Sequence, residues 1–101
     1  MSITPKDLCK IGIEISKGKN DTRVKTFIQY LNKLEITFSI TQTINEDGIK
    51  GVKIYGVYDN HIWNVKNYGD NKTLIVTKDG KFYDEQDYYF PSEAIRIIID
   101  M

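Results

Sequence analysis

Little in this 101-residue chain is suited to ligating a metal, forming a cross-link or attacking a substrate. It has one cysteine, one histidine, two prolines, two arginines and a single alanine. The lone Cys9 excludes an internal disulfide and fits a reducing compartment. His61 by itself cannot build a multi-histidine metal site. No apolar run approaches the ~20 residues of a membrane-spanning helix. The opening Met-Ser-Ile-Thr-Pro lacks the basic and apolar regions of a secretory signal, so a cytoplasmic protein is expected.

Catalytic motifs are missing too. The glycines at 48, 51 and 56 are followed by no Gly-Lys-Ser/Thr, so they spell no phosphate loop. The serines lie in no nucleophile-elbow context. Glu46-Asp47 and the acids from Asp84 to Asp87 do not alternate as a calcium loop requires. His61 beside Asp59 and Trp63 has the chemistry of an acid/base residue but no companion nucleophile, and a plain hairpin residue is the simpler reading. Cys9 near a helix start has no sequence signature for a partner base, and a half-buried structural cysteine is expected. A non-enzymatic protein is expected, with no cofactor and no metal.

What is abundant is isoleucine (sixteen), lysine (twelve), tyrosine and asparagine (seven each). Their codons are A/T-rich, which points to an AT-rich genome such as that of a phage, a mobile element or a low-GC bacterium. The length suits one domain, 1–101, and is too short for two.

The stretch from Ile49 to Phe90 organises the chain as an antiparallel meander. Residues 49–58 alternate, with Val52, Ile54 and Tyr58 on one face and Lys53, Tyr55 and Val57 on the other. Asp59-Asn60 tolerates the positive φ of a two-residue hairpin. A return strand over 61–66 carries Ile62, Trp63 and Val65. Residues 67–71 read as a longer turn, 72–78 as the next strand, Asp79-Gly80 as a tight hairpin and 81–83 as the start of the last strand. An earlier strand is expected over 35–41, with Ile36, Phe38 and Ile40 facing a core. Gly51 and Gly56 suggest bulges or a helix packed closely on the sheet.

Helical signals flank the meander. Thr4-Pro5-Lys6-Asp7 is a capped helix start, and Leu8, Ile11 and Ile15 form its apolar stripe with Ile13 at the border. Its end is expected near Ser16 or Lys17, with Gly18 as a left-handed cap. A second helix, capped by Asn20 or Asp21, carries Val24, Phe27, Ile28 and Leu31 to about Leu34. After Pro91, Ser92 can cap a helix to about Asp100, burying Ala94, Ile95, Ile98 and Ile99; a terminal strand over 95–99 competes. The expected fold class is α+β: two N-terminal helices on a five-stranded, mainly antiparallel sheet, with a short C-terminal helix.

Charge is uneven along the chain although the net charge is zero. Residues 1–34 hold seven basic and three acidic residues, and residues 79–101 hold two basic and six acidic ones. Two binding surfaces follow. The acidic, aromatic strip around Tyr83, Asp84, Glu85, Asp87, Tyr88 and Tyr89 suits a basic partner protein, such as one that handles nucleic acid. The favoured expectation is a small inhibitor of a host nucleic-acid-handling or defence protein. The alternative is a nucleic-acid-binding accessory protein. There Lys17, Lys19, Arg23 and Lys25 contact phosphate, and Tyr55 and Trp63 stack on bases. A third is a homo-oligomeric structural protein pairing through a sheet edge or face. Against both charged surfaces stands the simpler view: Phe82 and Phe90 are core, the tyrosines are half-buried, and the charges only keep a loop and a turn solvated.

Overall fold

The computed structural model describes residues 4–17, 23–68, 74–82 and 90–99. Within them the chain runs α1 (Pro5–Ser16), α2 (Arg23–Lys33), β1 (Ser39–Ile44), β2 (Lys50–Tyr58), β3 (His61–Tyr68), β4 (Ile75–Lys78), β5 (Lys81–Phe82) and α3 (Pro91–Ile99). The strands form one sheet in the order β1-β2-β3-β4-β5, each antiparallel to its neighbour. This is the α+β meander that the alternating segments and tight turns imply.

The turns follow from backbone chemistry. Asp59 and Asn60 have φ of 49° and 67°, and Asp79 and Gly80 have 52° and 79°. Positive φ at both central residues matches the right-handed twist of the strands they join. The β1–β2 connection is a three-residue hairpin with Gly48 in the left-handed region. The Gly48 N–H donates to the Asn45 carbonyl, and the Asn45 N–H to that of Ile49. The Asn45 side-chain oxygen also accepts the N–H groups of Asp47 and Ile49, both at 2.9 Å.

Helix α1 begins as its sequence requires. The Thr4 hydroxyl accepts the Asp7 N–H and the Asp7 carboxylate accepts the Thr4 N–H, each at 3.2 Å. Helix α2 ends in a reverse cap: the Ile36 N–H reaches the Leu31 carbonyl at 2.9 Å and the Glu35 N–H that of Asn32 at 3.2 Å. Glu35 occupies the left-handed position, φ 57°, where glycine is the usual residue.

That cap moves the first strand. The alternation over 35–41 implied a strand there, but the ladder begins only at Ser39 and runs to Ile44. Ile36 is drawn into the core beside the helix end and Phe38 packs at the core margin, whereas Ile40, expected inside, is 52% exposed. Other boundaries shift less. β3 continues through Asn67 and Tyr68, which pair with Val52 and Gly51 where a turn was expected. β4 runs over Ile75–Lys78, with Leu74 just before it; residues 72–73 of the expected strand lie outside the described residues. Helix α3 starts at Pro91 instead of being capped by Ser92: proline fills the first turn, and the Phe90 carbonyl accepts the Ala94 N–H. Gly18, Asn20, Asp21 and Tyr83 lie outside the described residues.

The core lies between the helices and one face of the sheet. Ile54, Trp63, Val65 and Val76 supply the sheet side; Leu8, Ile15, Phe27, Leu31, Ala94, Ile95 and Ile98 supply the helix side. Phe27 meets Trp63 edge-to-face, ring centroids 6.1 Å apart. Helix α3 packs on α2, β3 and β4, and α1 packs on α2. Ile13, placed at the border of the α1 stripe, is exposed. Gly51 and Gly56 mark neither a bulge nor a helix contact. The register runs unbroken through both. A Cβ on Gly51 would lie 2.2 Å from the Asn67 carbonyl, and one on Gly56 would lie 2.7 Å from the Thr37 carbonyl and 3.1 Å from the Trp63 ring. At each, the chain itself approaches too closely for a side chain.

Candidate functional site

All three helices lie on one side, so the odd-numbered residues of β2 look out from a face that no described helix covers. The register places Val57 directly opposite Ile62, and Tyr55 in a row with Ser39, Asn64, Thr77 and Phe82. Val57, Ile62 and Phe82 are 60%, 66% and 59% exposed, with Tyr55 beside them. Next to this apolar end Lys53 stands opposite Lys66. The Lys53 ammonium sits over the Tyr55 ring, 5.3 Å from its centre. These lysines are the only acid or base side chains that the described strands place on this face. The open face therefore combines β-branched and aromatic surface with positive charge.

One end of the sheet is pinned by a His–Asp pair. His61 Nδ1 is hydrogen-bonded to Asp79 Oδ2. Asp79 Oδ1 accepts the Ile62 N–H at 3.0 Å, and the Asp79 N–H donates to the Ile62 carbonyl at 2.7 Å. Because Asp79 leaves extended geometry to form its turn, its carboxylate, not its carbonyl, receives the Ile62 N–H. The hydrogen bonds from His61 and then Ile62 hold the Asp79 carboxyl below its ordinary value. Sequence reasoning set His61 beside Asp59 and missed Asp79. The signal was available: in a meander the β2–β3 and β4–β5 turns fall at the same end of the sheet. Both side chains are partly exposed, and among the described residues no group of three or more His, Cys, Asp or Glu could hold a metal ion. The pair fastens two hairpins together.

The basic turn is less coherent than its sequence suggests. Lys17 and Lys25 are exposed, but the Arg23 guanidinium lies over the Phe90 ring, 4.8 Å from its centre. Lys19 lies outside the described residues. Trp63, expected to stack on bases beside Tyr55, is fully buried and faces the helices, because odd positions in β3 register with even positions in β2. Tyr55 is therefore on the open face and the helix ends are on the other. The acidic strip, Tyr83, Asp84, Glu85, Asp87, Tyr88 and Tyr89, lies outside the described residues. Its flanks do not: Phe82 stands on the open face and Phe90 rests against Arg23, and both are more than half exposed rather than core. The basic N-terminal third and the start of the C-terminal helix thus meet in space.

Cys9, expected to be half-buried, is instead exposed on α1, off the stripe of Leu8 and Ile15 that faces the core. No described helix is long and apolar enough to cross a membrane. The chain is an α+β protein built on an antiparallel meander. No protein-family model matches it, and comparison with curated proteins and with solved structures likewise finds no match.

Proposed function

We propose that the protein is a non-enzymatic binding module that occupies a partner protein through the open face of its sheet. The observation that carries the reading is the Val57–Ile62 pair. Two β-branched side chains, each more than half exposed, stand side by side on a face that no described helix covers, with Tyr55 adjoining and Phe82 at the far edge of the described sheet. Aromatic and aliphatic groups grouped at the centre of a patch, with charge at its rim, are what protein interfaces use. In the sequence, Phe82 is followed directly by the acidic, aromatic segment 83–89 with its carboxylates and tyrosines. Blocking a host protein that handles nucleic acid, or one used in defence, is the specific form this reading takes. Such a target carries the basic surface that Asp84, Glu85 and Asp87 complement.

The test is affinity capture from a host lysate, with and without nuclease, using the wild type, Ile62→Lys, and a variant with Asp84, Glu85 and Asp87 changed to lysine. A stoichiometric protein that survives nuclease, and is lost with Ile62→Lys or with the charge reversal, supports the reading. Recovery of nucleic acid alone, lost when Lys17, Lys19, Arg23 and Lys25 are neutralised, overturns it in favour of the basic turn.

A further inference from the structure

The two edges of the sheet are built differently. Within the described residues β5 is two residues long and carries Lys81, and a charge on an edge strand discourages pairing. β1 is six residues long, Ser-Ile-Thr-Gln-Thr-Ile, with no charge, no proline and no bulge. Among the described residues β2 is its only strand neighbour.

The β1 hydrogen-bond pattern sets which groups face outward. Asn45 donates to the Ile49 carbonyl, and these two residues continue the register in which Ile44 opposes Lys50. Bonded and non-bonded pairs alternate along an antiparallel ladder, so Thr43, Thr41 and Ser39 bond to β2. The backbone groups of Ile40, Gln42 and Ile44 point to the free edge. The side chains of Ile40 and Ile44 share the face of Ile54, the helix side, yet are 52% and 62% exposed, because the helical layer stops short of β1.

From this we infer that β1 is the seat of a homodimer, two copies pairing their β1 edges antiparallel about a two-fold axis at Gln42. In that register Gln42 opposes Gln42 of the second copy, and Ile40 opposes its Ile44. The outward backbone groups of all three even-numbered residues are then satisfied, since these form the bonded pairs. A two-fold axis perpendicular to the sheet keeps both helical layers on the same side, so the exposed isoleucines fill the gap between them. Thr41 opposes Thr43 on the other face, a favourable cross-strand pair. No charge opposes a like charge. The contact leaves Val57 and Ile62 clear, so it stands or falls independently of the proposed function.

A six-residue edge buries less than the roughly 1,600 Å² of a standard interface, so the dimer is weak and concentration-dependent. Sedimentation equilibrium of the full chain from about 10 μM to about 1 mM reads it directly. Dimer formation is expected in that range. Gln42→Pro removes an outward N–H while leaving the β1–β2 ladder intact, as proline tolerates on an edge strand. Ile40→Lys places charge in the seam. Each should raise the dissociation constant at least about tenfold with the circular dichroism spectrum unchanged. In a Cys9→Ser background, Gln42→Cys should cross-link on mild oxidation, because facing residues of a bonded pair lie about 5.5 Å apart. Ser39→Cys should not, because Ser39 faces Asn45 of the second copy. A monomer throughout the range, or cross-linking of Ser39→Cys as readily as Gln42→Cys, overturns the proposal.

Discussion

At the scale of single residues, the backbone conformations argue most directly for what substitutions will do. Glu35 holds φ at 57° to close the α2 cap, a conformation that costs an L side chain about 1 kcal/mol or more relative to glycine. Glu35→Gly is expected to stabilise the fold by about 1 kcal/mol in urea titration, with an unchanged slope. Gly56 has the opposite prospect. Its missing Cβ admits the Thr37 carbonyl and the Trp63 ring, and Gly56→Ala should cost about 1–3 kcal/mol through overpacking. The only tryptophan reports on both: buried against Phe27, it should fluoresce at short wavelength in the native protein and shift red on unfolding.

At the scale of elements, two exposed carboxylates hold ends together. Asp7 closes the α1 capping box and Asp79 ties the β2–β3 hairpin to the β4–β5 hairpin. The hydrogen bonds each accepts, from Thr4 in one case and from His61 and Ile62 in the other, lower their folded-state pKa below the ordinary 3.8. A lowered carboxyl pKa contributes stability that is complete above the unfolded value. It is lost as pH falls from there through the folded value. Stability should therefore decline below about pH 4, and Asp79→Asn should flatten that decline in an acid titration followed by tryptophan emission. Thr4→Ala, which removes the cap acceptor, should lose about 1 kcal/mol at neutral pH.

At the scale of the whole molecule, the one-sided helical layer decides what is available for binding. It buries the even-numbered side of β2 and leaves Tyr55, Val57, Ile62 and Phe82 in water. Ile62→Lys should leave the unfolding midpoint within about 0.5 kcal/mol of wild type, as a surface change does, while removing partner capture. The equivalent change at Trp63 would unfold the protein. Among the described residues, Arg23 of the basic N-terminal third stacks on Phe90, so the two ends of the chain meet there.

Local chemistry was enough to read the α+β class, the meander order, both positive-φ hairpins, the Thr4 cap of α1 and the apolar stripes of α2 and α3. Each depends on residues within a turn or a strand of one another. Period-two alternation also separated the faces of β2 correctly. It could not say which part of a face would be covered, and so placed Ile40 inside and Trp63 among stacking residues. Those outcomes depend on contacts between residues far apart in sequence: the α2 cap that delays β1 to Ser39, the register that turns Trp63 toward Phe27, and the reach of a helical layer that ends before β1. The His61–Asp79 tie and the unprotected β1 edge are of the same kind. They exist only once the strands are laid side by side.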